Sequence, residues 1–96
     1  MRRAAKRDAN EPAIREALEA AGYTVFPVSD DGIPDLLVTR PGKGYLLLEV
    51  KVPGKPLTKA QERFFHLSEG TARYMVTTAQ DALQAAEYWL GGTPDV

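Results

Sequence analysis

Gly32-Ile33-Pro34-Asp35-Leu36-Leu37-Val38-Thr39 leads through Arg40-Pro41-Gly42-Lys43-Gly44 into Tyr45-Leu46-Leu47-Leu48-Glu49-Val50-Lys51. Two apolar runs flank a cluster of Pro and Gly, the pattern of a β-hairpin. With Pro41-Gly42-Lys43 as a three-residue loop, Arg40 pairs with Gly44. Counting back, Leu37 faces Leu47 and Asp35 faces Glu49. Side chains alternate along a strand, so Lys51 shares the face of Glu49. Opposed residues have Cβ atoms about 5 Å apart. Two carboxylates and an ammonium therefore meet at one end of a greasy hairpin.

Two adjacent carboxylates repel, and burying them is costly unless a cation sits between them. Lys51 is one such partner. A divalent metal is a better one, because hard oxygen ligands suit Mg²⁺ or Mn²⁺. The bland alternative is a solvated strand end with one cross-strand salt bridge.

Outward from the hairpin, a helix is expected from about Asn10 to Ala21. Asp8 or Asn10 can cap it, Pro12 fits its first turn and Gly22 ends it. Ala13, Ile14, Ala17, Leu18 and Ala21 form its apolar stripe, and Glu11 sits at the N-terminal end of that stripe. Glu11 there either serves the site or merely suits the helix dipole. Tyr23 to Val28 reads as a strand. Ser29-Asp30-Asp31-Gly32 reads as a turn, and its two Asp are left out of the site. Leu36, Val38, Leu46, Leu48, Val50 and Val52 occupy one face of the hairpin; Leu37, Tyr45 and Leu47 occupy the other. Both faces are apolar, so these strands should be central, with helices on both sides. Val52 to Pro56 is a loop.

Thr58-Lys59-Ala60-Gln61 has the form of a capping box, with Gln61 reaching back to the cap. The alternative duty of Gln61 is to orient water or a phosphate, and one amide is expected not to serve both places at once. Phe64, Phe65 and Leu67 are expected to pack this second helix, which ends near Gly70. His66, the sole histidine, reads as a partly exposed helix residue. A strand follows over Ala72 to Thr77. A last helix, capped by Thr77 or Thr78, has Ala82, Leu83, Ala86, Trp89 and Leu90 as its stripe. The order is αβββαβα.

The residues resemble a known family. Pro34-Asp35 followed by Glu49-Val50-Lys51 on the next strand is similar to the PD-(D/E)XK nuclease signature. Gly32-Ile33-Pro34-Asp35, Glu49-Val50-Lys51, the helical Gln61 and Glu11 in the first helix resemble its virus-type replication-repair nuclease (VRR-NUC) branch, over nearly the whole chain. The resemblance implies the restriction-endonuclease-like α/β fold, with an αβββαβ core, a central mixed sheet flanked by helices and an added C-terminal helix. It implies hydrolysis of DNA phosphodiesters with Mg²⁺ or Mn²⁺. Asp35, Glu49, the Val50 carbonyl and Glu11 would hold the metal, and Lys51 and Gln61 would assist catalysis. Stand-alone members of this size resemble Holliday-junction resolvases, which implies a homodimer acting on branched DNA. A non-catalytic DNA-binding or scaffold domain and an RNA-directed nuclease are the alternatives.

Ninety-six residues with 44% hydrophobic content make one domain, residues 1–96, with one core. There is no Cys, so disulfides and thiolate metal sites are excluded, and an intracellular, cytoplasmic setting is expected. No apolar run approaches the ~20 residues that span a bilayer. Net charge is −1, so there is no global pull toward nucleic acid. The charge is uneven, however. Arg2, Arg3, Lys6 and Arg7 crowd a polar start (residues 1–9), and Lys55 and Lys59 lie nearer the hairpin. These six are the candidate DNA-binding cations, although for the first four a solvated chain end is an equal alternative.

Overall fold

The computed structural model describes residues 8–91. Seven elements follow in the expected order: α1 (Glu11–Ala20), β1 (Thr24–Pro27), β2 (Leu36–Arg40), β3 (Gly44–Val50), α2 (Lys59–Leu67), β4 (Arg73–Val76) and α3 (Ala79–Leu90). The four strands form one mixed sheet in the order β1-β2-β3-β4. β1, β2 and β3 form an antiparallel meander, and β4 joins β3 in parallel. A parallel neighbour cannot be reached by a tight turn, so α2 serves as the crossover.

The hairpin register is the one expected. Arg40 pairs with Gly44, Leu37 with Leu47 and Leu36 with Leu48. Leu36, Val38, Leu46, Leu48 and Val50 are fully buried and meet Ile14, Leu18, Ala82, Ala86 and Leu90 in a single core. This core lies between one sheet face and the pair α1 and α3. Thr78 caps α3, its side chain accepting from the Asp81 N–H at 3.0 Å. Gly91 ends it at φ +83°, a left-handed conformation that costs a glycine little.

The other face is covered less fully than the apolar pattern predicts. No residue of α2 is buried, and Leu67 is 67% exposed. The expected packing of Phe64, Phe65 and Leu67 is therefore corrected. Both Phe are half-buried, with Phe65 lying under the Arg73 guanidinium. A nine-residue helix on this face rests on its polar N-terminus and on one close approach. Gly32 at φ +83° lies against Ala60, where an added Cβ would come within 3.1 Å of the Ala60 Cβ. Trp89 also leaves the expected stripe: it is 39% exposed and donates from Nε1 to the Tyr74 hydroxyl at 2.7 Å. The strand expected over Tyr23 to Val28 is shorter, because β1 pairs only from Thr24 to Pro27.

Candidate active site

β2 and β3, being antiparallel, bring Asp35 and Lys51 to the same end of their seam. Asp35 lies one residue before β2, and Lys51 lies one residue after β3. Asp35 is fixed twice. Its main-chain carbonyl accepts from Val28 N–H at 2.7 Å, and its side-chain Oδ2 accepts from Val50 N–H at 2.8 Å. Asp35 therefore closes the open end of the ladder as well as supplying charge.

Glu49 alternates with Leu48 and Val50, so it points away from the core, toward α2. It is nonetheless only 1% exposed. Gln61 Nε2 donates to its Oε2 at 3.0 Å, and the Lys51 ammonium lies 3.9 Å from the same oxygen. Oε1 is buried without a hydrogen-bond partner. Burial first, then the charge and contact of the Asp35 carboxyl, push the Glu49 carboxyl from its ordinary 4.5 up to about 8; Lys51 offsets part of this.

Gln61 corrects the expectation that its amide serves one place or the other. Its Oε1 accepts from the Thr58 N–H at 2.8 Å, and its own N–H donates to Thr58 Oγ1 at 3.2 Å. The capping box is complete, and the amide nitrogen is still directed at Glu49. The two ends of one amide therefore bond the cap and the Glu49 carboxyl at the same time.

These groups line a cavity of about 230 Å³ whose wall includes Asp35, Glu49, Val50, Lys51, Lys55 and Gln61. Asp8, Asp30 and Asp31 also border it, although Asp30 and Asp31 read only as a turn in the sequence. Lys55 reaches to within 3.9 Å of Asp8 Oδ1 at the exposed rim. Lys59 is exposed at the start of α2, two residues from Gln61. His66 is exposed on the same helix. Arg2, Arg3, Lys6 and Arg7 lie outside the described residues.

Glu11 is not brought to the cavity. It is 3% exposed and borders a separate surface depression with Arg15, Glu16 and Glu19. Among the described residues no group of three or more His, Cys, Asp or Glu is placed to hold a metal ion. Of the expected four-part shell, Asp35, Glu49 and Val50 line this cavity together. The donor chemistry still fits a hard cation. A buried carboxylate oxygen lacks any donor, a second carboxylate stands beside it, and ions such as Mg²⁺ keep several waters of their own.

Sequence reasoning also missed the duty of Asn10. It occupies the cap position of α1, but its side chain makes no cap hydrogen bond. It reaches instead to the ends of β3 and β4. Those partners lie 41 and 67 residues away, beyond any local pattern.

A mixed sheet that delivers an Asp, a Glu and a Lys from adjacent strands to one cavity defines a PD-(D/E)XK-type nuclease core. Residues 4–81 match the VRR-NUC domain, and the chain belongs to that family. No curated protein and no solved structure matches it. Family membership makes it a nuclease-type domain that acts on DNA. No helix among the described residues is long and apolar enough to cross a membrane.

Two outcomes follow from this geometry. The raised Glu49 pKa means that the folded protein holds a proton between pH 4.5 and about 8 that the unfolded chain releases. Its contribution to stability is complete below pH 4.5 and is lost as pH rises through 8. In the presence of a chelator, the melting temperature should fall across that window. Glu49→Gln, which cannot ionise, should flatten the fall; parallel melting profiles for the two proteins would refute the assignment. Gln61→Ala removes both ends of the amide. It should cost about 1 kcal/mol of stability through the lost cap and also slow cleavage. A change in one measurement without the other would mean that one of its two bonds is idle.

Proposed function

We infer that the protein is a divalent-metal-dependent DNA endonuclease that hydrolyses phosphodiester bonds. The observation carrying this reading is the buried Glu49 carboxylate, with one oxygen unpartnered, beside Asp35 and within reach of Lys51. An acid so placed is costly to ionise in the resting protein, and such placement characterises functional groups.

Asp35, Glu49 and the Val50 carbonyl would hold Mg²⁺ or Mn²⁺. The ion supplies charge neutralisation at the phosphate and a more acidic water. The remaining work falls to the chain. The Val50 N–H fixes Asp35, and Gln61 fixes Glu49, so both carboxylates keep their aim. The Lys51 ammonium offsets the negative charge that grows on the phosphate. As the water oxygen bonds to phosphorus it gives up a proton to solvent, the phosphorus–oxygen bond to one sugar opens, and the departing oxygen takes up a proton from solvent. Lys55 and Lys59 on the rim would hold flanking phosphates, and Arg2, Arg3, Lys6 and Arg7 would extend that grip. Glu11 serves as a buried support of α1 in this reading, outside the metal shell.

Purified protein should cut DNA with Mg²⁺ or Mn²⁺ and stop on chelation. Asp35→Asn keeps an oxygen for the Val50 N–H while removing the charge, so it should fold. Its cleavage rate should fall on the order of 100-fold or more. Cleavage at the parental rate would sink the assignment.

The domain further acts as a homodimer selective for branched, Holliday-junction-like DNA. One chain offers one cavity, and a four-way junction needs two symmetric cuts, which a two-fold pair provides most simply. In sedimentation at micromolar concentration, with and without a four-way junction, a dimer should appear, and binding should weaken steeply with salt. A strict monomer that cuts linear duplex as well as junctions overturns this part alone.

A further inference from the structure

Asn10 stands where an N-cap residue is expected, yet it works in the opposite sense. An N-cap side chain accepts from the N–H groups of the first turn. Asn10 has helical backbone angles, φ −84° and ψ −7°, and accepts none. Its Nδ2 donates to the Lys51 carbonyl at 3.1 Å and to the Thr77 carbonyl at 2.7 Å. Both partners are pure acceptors, which fixes the orientation of the amide. The consequence is that Oδ1 is buried without a hydrogen-bond partner, a position that carries a desolvation penalty. The double donation must outweigh it.

The two carbonyls have a common place in the fold. Lys51 is the first residue beyond β3, and Thr77 is the first beyond β4. The Lys51 N–H donates to Val76 at 3.0 Å, while its carbonyl is taken by Asn10. Past Lys51 the chain turns into the loop that leads to α2. Asn10 therefore fixes the last peptide of the run before the chain leaves the sheet. The Lys51 side chain extends from that peptide, 5% exposed, with its ammonium 3.9 Å from Glu49 Oε2.

We propose that Asn10 is a positioning residue of the nuclease site: its amide fork fixes the main chain at Lys51 and thereby sets the Lys51 ammonium against Glu49 and the scissile phosphate. The proposal rests on the role given to Lys51 above. A staple that merely ties α1 to the sheet would affect stability alone, so the two roles separate experimentally.

The test compares the full-length protein with Asn10→Ala and Asn10→Ser. Thr78→Ala serves as a control, removing a helix cap at α3 that is not part of the proposed site. Two quantities are read below the melting temperature of all four proteins. One is the single-turnover cleavage rate at saturating DNA, together with DNA affinity. The other is acetylation of Lys51 by acetic anhydride, measured by peptide mass spectrometry against exposed Lys59 in the same sample. Asn10→Ala should cut about tenfold or more slowly, since small displacements of a reacting group are costly, with DNA affinity unchanged. Its Lys51 should become several-fold more reactive relative to Lys59. Asn10→Ser, with a single donor, should fall between parent and Ala, and it carries the comparison if the Ala variant does not fold. Unchanged Lys51 labelling, or the same loss in Thr78→Ala, overturns the proposal. If the parent cuts nothing, the nuclease reading fails, and the labelling still decides whether Asn10 fixes Lys51.

Discussion

A carboxylate buried on a central strand is the constraint behind the rest of this structure. Glu49 is almost without solvent at the end of β3, and a bare charge there is intolerable. The surroundings answer it in parts. Gln61 gives one hydrogen bond, Lys51 gives a cation at the limit of ion-pair distance, and one oxygen is left with neither. Asp35 makes matters worse electrostatically while holding the Val50 N–H between the two acids. An arrangement selected for stability alone would place an apolar residue at position 49. The retained acid, with its proton held up to about pH 8, marks the place where the protein gives up stability for chemistry.

Much of this arrangement was legible in the hairpin. Period-two alternation and a three-residue loop gave the register directly, because a slip of one residue would turn Leu36, Leu46 and Leu48 out of the core. The meeting of Asp35, Glu49 and Lys51 then followed from counting. Helix boundaries were legible where caps are local, as at Thr58 and Thr78. What failed to show was anything that depends on the two ends of one amide. Gln61 reads in the sequence as a cap or as a group that orients water or a phosphate; its oxygen caps α2 while its nitrogen bonds Glu49. Asn10 reads as a cap because propensity is a local quantity, whereas its partners lie just beyond β3 and β4. Glu11 had the right spacing for the inward stripe and is buried as that implies.

The helices divide the labour unequally. α1 and α3 supply the apolar residues that hold β2 and β3 in place, and those strands carry the acids. α2 supplies almost no core; it brings Gln61 to Glu49. A rigid layer thus positions the charged groups, and a second layer completes them.

The thinness of α2 has a consequence for motion. A helix without a buried residue, held by a capping box, one amide contact, the Gly32 approach to Ala60 and Arg73 at Phe65, belongs to the low end of the local-opening scale. It can detach while the β-meander, α1 and α3 remain folded, since the core cluster includes none of its side chains. Each such opening withdraws Gln61 from Glu49 and admits water to the acids. Amide exchange in 59–67 should therefore run ahead of global unfolding, and the polar half of the site breathes on a clock set by α2, independently of the strands beneath it.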